Sequence, residues 1–314
     1  MQMKKRDLFR KYGIIIIFLA IVIVLAIVAP TFRKPMNLFN VVKQASVNGV
    51  LAFGMMIVVL TAGIDLSIGS IVGVSGVCAA LFAHPGEFPL IVPILTALGV
   101  GLLFGFFNGV GVAYGGLPPF IITLGIMSVA RGLALVISKG VPIINLKPSF
   151  ISIASDSLFG LPYLAFYFIG TAVVFAVLLE KTVFGRHVYM IGGNATAARV
   201  SGINVKVHLV IVYMISGLCS GLGGLLMASR TNQGSPTMGQ SYEMDAVTAV
   251  VIGGVSMSGG SGKWYGTVVG ALLIAVIENA LTIFGVDSNW KQVVKGLIII
   301  GAVLMDVKSK GSKE

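Results

Sequence analysis

Charged side chains interrupt stretches that are otherwise apolar, and those interruptions are where this chain has chemistry to offer. Asp65 lies in Gly63-Ile64-Asp65-Leu66-Ser67-Ile68-Gly69-Ser70, Arg131 in Ser128-Val129-Ala130-Arg131-Gly132, Asp245 in Tyr242-Glu243-Met244-Asp245-Ala246, and Glu278-Asn279 deep in 265–285. An ion in such surroundings is expensive unless it is paired, capped or wetted. Asp65 has two readings. Either it or Ser67 caps a helix beginning near Ser67, with Gly63 supplying the turn, or it lines a gate on a solute path. Arg131 either snorkels to an interface or pairs with Asp65, Asp245 or Glu278. Glu243 and Asp245 suit the first turn of a helix, where the dipole favours negative charge.

A second feature is a polar island, 180–208, flanked by long apolar runs. It carries Arg186, then Gly192-Gly193-Asn194, then Ala195-Thr196-Ala197-Ala198-Arg199-Val200 as one short helical run, with Gly202 as its stop. A compact, basic, helix-bearing loop on an apolar protein suggests a docking surface for something soluble.

Other chemistries find no footing. Ser258-Gly259-Gly260-Ser261-Gly262-Lys263 has the flavour of a phosphate-binding loop, but the glycine required five before Gly262 is Met257, and Trp264 follows Lys263 where Ser or Thr is needed. The stretch reads as a turn between helices. Nucleophile elbow, HExxH helix and Ser/Lys dyad are all missing, so the chain is not read as an enzyme. His84, His187 and His208 are scattered at turns and span ends, and Cys78 and Cys219 fall in apolar runs as small core residues. Neither metal site nor disulfide is expected.

The elements that must position these residues follow from composition. Of 314 residues, 56% are hydrophobic and 11% charged, with mean hydropathy +0.99. No soluble domain of this size hides so much apolar surface. The expectation is an all-α polytopic membrane protein, a single domain over 1–314, with about ten crossings at 12–30, 43–62, 66–83, 90–113, 119–138, 163–180, 208–229, 245–257, 265–285 and 290–306. Two places are irregular: Gly63 to Gly69 breaks a long segment into half-helices, and 245–257 is short for a crossing of about 20 residues.

The net charge of +11 clusters at span ends: Lys4, Lys5, Arg6, Arg10 and Lys11, then Lys181, Arg186, Arg199 and Lys206, then Lys308, Lys310 and Lys313. That bias places both termini and the loop 181–207 in the cytoplasm, leaving 139–162 and 230–244 outside. Arg33, Lys34 and Lys43 run against it. Aromatic interleaving is lacking, so nucleic acid is not an expected partner. Glycines four apart (Gly69 and Gly73; Gly101, Gly105 and Gly109; Gly217 and Gly221; Gly266 and Gly270) mark close helix packing. A faint echo links the segment from Val58 to Ser70 with that from Val250 to Gly260, as repeats in transporters do.

Taken jointly, the Thr61–Ser70 segment, Pro118-Pro119-Phe120-Ile121-Ile122-Thr123-Leu124-Gly125 with Arg131-Gly132, Gly185-Arg186 through Ile203, Tyr242–Ala246 with Gly253-Gly254, and Val294-Lys295-Gly296 resemble the permease subunits of bacterial ABC importers for monosaccharides, the ribose, xylose and galactose branch. The resemblance implies a dimer of ten-helix subunits, formed with itself or a paralogue, around a pore at the dimer axis. It implies two copies of a soluble ATPase below, holding the ATP and Mg, so that this chain binds no cofactor. A periplasmic or lipoprotein sugar-binding protein sits above, and the setting is the bacterial inner membrane. The family's coupling helix falls on 195–202, with Gly192, Gly193, Asn194, Ala197, Ala198 and Gly202 matching and Arg186 and Arg199 offering ion pairs; Thr196 stands where Glu is usual. A neutral sugar then needs only a weakly polar path, for which Asn48, Asn108, Thr123 and Thr248 suffice beside Asp65, Ser67, Arg131 and Asp245.

Two other readings stand beside it. Asp65, Arg131 and Glu278 within spans would suit a secondary transporter driven by H⁺ or Na⁺. A scaffold or receptor is disfavoured because no substantial extramembrane segment exists.

Overall fold

The computed structural model describes residues 5–86 and 88–311; Lys4 and Lys313 lie outside them, as do the side chains of Lys5, Arg6, Arg10, Lys11, Lys308 and Lys310. In chain order the helices are α1 (Lys5–Val28), a 3₁₀ turn (Pro30–Arg33), α2 (Pro35–Leu60), α3 (Ile68–Leu81), α4 (Ile91–Ala113), α5 (Pro119–Ser138), α6 (Pro148–Ser155), α7 (Tyr163–Lys181), α8 (Val183–Gly193), α9 (Ala195–Val200), α10 (Val205–Thr231), α11 (Tyr242–Ile252), α12 (Trp264–Ile283) and α13 (Ser288–Gly311). A helix occupies each of the ten anticipated positions. Six of them, α2, α4, α5, α7, α10 and α12, are long and apolar enough to cross a bilayer, so the architecture is that of a multi-pass, all-α membrane protein. A hairpin of two-residue strands (β1 Ser157–Leu158, β2 Leu161–Pro162) and α6 lie within 139–162, the segment expected to be external.

Burial explains the arrangement. From Ala45 to Leu60, α2 is buried on every face, and with α10 it forms the centre, packed by α3, α4, α7, α11 and α12. By contrast α5 turns most of its surface outward, with Phe120, Ile121, Val129 and Val136 exposed, as suits a helix bathed in lipid. The spaced glycines do what their spacing predicts. Gly101 and Gly217 face one another so closely that a Cβ on either would come within 2.2 Å of the other's carbonyl oxygen, and Gly266 meets Gly253 in the same way. Without side chains between them, α4 with α10 and α11 with α12 bring their backbones into contact.

Both irregular places are real breaks. Fourteen residues long, α3 begins only after an irregular turn at 61–67; α11 has eleven, starting at Tyr242 and ending at Ile252 rather than spanning 245–257. The echo between the two segments has a physical content. Gly63 N donates to Val58 O at 3.1 Å and Ala62 N to Val59 O at 2.9 Å, while Val255 N donates to Val250 O at 3.1 Å and Gly254 N to Val251 O at 2.9 Å. These are the same Schellman ending in the same register, with Ala62 and Gly254 left-handed (φ 60° and 82°). What the two copies share is a way to stop a helix.

Candidate functional site

Two regions gather the functional candidates, and the first is the polar island. Three side chains open its helices: Thr182 Oγ1 accepts from Gly185 N (3.0 Å), Asn194 Oδ1 from Ala197 N (2.9 Å), and Asn204 Oδ1 from Val207 N (3.2 Å). Gly202 ends α9 with φ 83°, in agreement with its reading as a stop. On α9, Ala198 alone is buried, packed with Ile191, Ile203 and Val205. Ala195, Thr196, Ala197, Arg199 and Val200 point outward, and Val200 is 85% exposed. Ala198 therefore anchors the helix, while Ala197 and Arg199 belong to its open face beside Arg186, exposed on α8.

Gly192 and Gly193 are not loop punctuation but the last turn of α8, a helix the sequence pattern concealed. Gly192 touches backbone directly: a Cβ there would lie 1.8 Å from Leu60 O and 2.6 Å from Gly260 N. Tyr189 donates to Gly262 O at 3.0 Å. Burial, reinforced by the Glu180 carboxylate, pushes that phenol above its ordinary range, so it stays a donor. Trp264 Nε1 donates to Glu180 at 3.0 Å. His187 and His208, read as scattered, are in contact: Nδ1 of one lies 2.9 Å from Nε2 of the other, and His208 stacks on Phe184. The segment is thus bolted to the ends of α2 and α10 and to the turn after α11. That turn, 253–263, carries left-handed glycines at 254, 259 and 260, consistent with a helix connector.

The second region lies toward the other end of the bundle, around Arg131 on α5. The expected pairing with Asp65, Asp245 or Glu278 is not what the structure shows for this residue. Its guanidinium donates to the carbonyls of Pro236, Met238 (2.9 Å) and Gly69 (3.4 Å), while Asp245 and Glu278 pair with Lys295 and Asp65 accepts from Ser67 and Ser216. Pro236 to Met238 belong to the irregular stretch before α11, whose carbonyls lack helical partners; a planar fork with five donors satisfies several at once. Gly69 is obligatory here because a Cβ would fall 2.2 Å from both Gly239 O and Glu243 Oε2. Beside Arg131 opens a cavity of about 650 Å³ lined by Ser70, Ser128, Thr237, Gln240, Ser241 and Glu243, among others.

Asp65 is wholly buried. Its Oδ1 accepts from Ser67 N (3.0 Å) and Ser67 Oγ (2.5 Å), with Asn108 Nδ2 at 3.4 Å, and its Oδ2 accepts from Ser216 Oγ (2.8 Å). The carboxylate fastens the turn that precedes α3, while Ser67, the residue at the head of that helix, makes no side-chain cap hydrogen bond. Asn48, Thr123 and Thr248 are buried within their helices, the two threonines bonded to carbonyls of their own chain turn. Asp245 and Glu278 both pair with Lys295 of α13, at 2.9 Å for Asp245. The lysine went unnoticed as a partner, although a charge amid the apolar positions of α13 was a signal for one. Among the described residues no group of three or more His, Cys, Asp or Glu is placed to hold a metal ion.

Comparison with known proteins bears on all of this. Residues 37–303 match the family described as "Branched-chain amino acid transport system / permease component". The chain is 41% identical over 301 residues to the ribose import permease protein RbsC of Bacillus subtilis (strain 168), covering 95% of this chain and 93% of that protein. It is 36% identical over 312 residues to the galactose/methyl galactoside import permease protein MglC of Salmonella typhimurium (strain LT2), covering 94% and 93%. With the D-allose transport system permease protein AlsC of Escherichia coli (strain K12) it shares 35% over 297 residues, covering 94% and 91%. No solved structure matches the chain.

Proposed function

We propose a function from one premise: this chain belongs to the branched-chain amino acid transport system / permease component family. Within it, the chain is the membrane-spanning permease subunit of an ATP-binding-cassette importer that moves a monosaccharide, ribose or a related pentose or hexose, as the names of its relatives suggest. The chain does no chemistry itself. Two copies of a partner ATPase hold ATP and Mg and dock on α9, with both permease termini on that cytoplasmic side of the inner membrane. A sugar-binding protein delivers solute to the opposite face, and a second copy of the chain or a paralogue completes the pore.

The observation that carries the coupling role is the joint between α8 and the core. The exposed face of α9 hands any displacement to α8, and Gly192 transmits it backbone to backbone to the end of α2 and the turn after α11. Close-packed elements switch as rigid pieces, so a small push moves whole helices. Coupling needs docking that differs between the ATP-bound and released states, not tight docking alone. On the outer side, Arg131 and the cavity beside it, part polar and part apolar, form the entrance to the solute path. Asp65, Ser67 and Asn108 brace the break behind it, while Asn48, Thr123, Asp245 and Thr248 become path-lining when the helices part.

Proteoliposomes carrying the permease with and without its ATPase test this reading. ATP-dependent monosaccharide uptake that vanishes without the ATPase supports it. Uptake driven by an ion gradient through this chain alone would replace it with the secondary-transporter reading.

A further inference from the structure

A second cavity, of about 300 Å³, opens where α2, α12 and α13 meet the segment before α11. Gln44, Gln240, Ser241, Glu278, Lys291 and Lys295 form most of its wall, and every other side chain on that wall is polar too. In a protein that is 56% hydrophobic, such a wall among apolar helices calls for an occupant. Gln240 and Ser241 also line the Arg131 cavity, so the two spaces flank a single turn.

The electrostatics narrow what that occupant is. Lys295 bridges Asp245 (2.9 Å) and Glu278, Gln44 donates to Glu278, and Lys291 donates to Thr282 Oγ1 at 3.0 Å. Two cations, Lys291 and Lys295, balance two carboxylates, Asp245 and Glu278. A balanced cluster favours neither a cation nor an anion. It offers carboxylate oxygens to accept and ammonium and amide groups to donate, at several points around a small space. That is the complement of a neutral solute bearing several hydroxyls.

We propose that this cavity is a binding station for a neutral polyhydroxylated solute, with Glu278 accepting from its hydroxyls and Gln44 and Lys291 donating to them. Its place supports an entry role. The backbone contacts Gly253 with Gly266 and Ala249 with Gly270 make α11 and α12 antiparallel, so Thr282 and the start of α13 lie on the side of the segment preceding α11, away from α9. The station rests on the monosaccharide importer reading above and adds a site to it.

The test uses the full chain in lipid nanodiscs with Gln292→Cys, an exposed rim position, labelled by a membrane-impermeant maleimide and counted at position 292 by mass spectrometry. D-ribose, D-galactose and D-allose at tens of millimolar are the probes, with KCl and glycine as controls. At least one sugar is expected to slow labelling about threefold, as a site two-thirds occupied would, and the controls to do nothing. Adding Glu278→Gln should remove the protection with the unprotected rate unchanged. Thr282→Val, which removes no charge and only the hydroxyl that accepts from Lys291, should weaken it and serves if the first variant does not fold. Protection by salt and not by sugar, or by none of the probes, overturns the station. ATP-dependent uptake of the same sugars by the reconstituted complex is measured in parallel: uptake without protection sinks the station alone, and protection without uptake sustains the station while sinking the importer reading.

Discussion

The backbone N–H of Gly260 donates to the carbonyl of Leu60 at 2.9 Å, joining the end of α2 to the turn after α11, and Gly192 of α8 is pressed against both partners. Three segments far apart in sequence share one joint, and it lies between the exposed α9 and the buried centre of the bundle. The expected consequences start there.

Gly192→Val should loosen that joint. No rotamer rescues it, because the obstructing atoms are backbone. Overpacking of this kind costs about 1–3 kcal/mol, so the purified permease should melt lower in detergent. ATP-dependent uptake should fall further than the melting shift explains. A Val variant with normal uptake would show that α8 need not touch Leu60.

Arg131→Lys keeps the charge and loses the fork. A lysine ammonium cannot hold the carbonyls of Pro236, Met238 and Gly69 together, and each carbonyl left dry costs roughly 1–3 kcal/mol. The variant should insert in the membrane yet lose most uptake, and protease should cut the 235–241 segment faster. Equal proteolysis in both proteins would argue that Arg131 does not hold that segment.

At Asp65, the acceptor is what counts. Asp65→Ala strands Ser67 N–H, Ser67 Oγ and Ser216 Oγ in a buried place, at roughly 1–3 kcal/mol for each donor left unsatisfied. Asp65→Asn retains one acceptor oxygen and should keep more of the stability. If Asn proves as damaging as Ala in thermal melts while uptake responds to pH, the ion-coupled reading gains.

On α9, Gly202→Pro removes the left-handed stop, and Arg199→Glu reverses the charge of the open face. Both should abolish sugar-stimulated ATP hydrolysis in the assembled transporter while membrane insertion persists. Unchanged hydrolysis in both variants would detach this helix from coupling.

Much of this was legible from residue types. Apolar run lengths placed ten helices, spaced glycines marked the packed pairs, and Gly202 marked the end of α9 because a left-handed stop is a local signal. Partners across the fold were not. Arg131 was read as snorkelling or pairing with a carboxylate, but its partners are backbone carbonyls of an irregular segment, whose lack of helical bonds a sequence does not display. Lys295 reaches Asp245 and Glu278 from a third helix, a meeting set by tertiary packing. α8 was hidden because its glycines read as punctuation; Gly185 and Gly192 are glycines for close approach, and helix packing overrides their low propensity.

The most direct test of the coupling surface is a photo-crosslinking residue placed at Val200 in the transporter assembled with its ATPase and binding protein. Irradiation should join the permease to the ATPase subunit, with the yield changing when ATP is bound. Crosslinks to the external binding protein instead, or labelling of position 200 by impermeant reagents from outside the cell, would contradict the account.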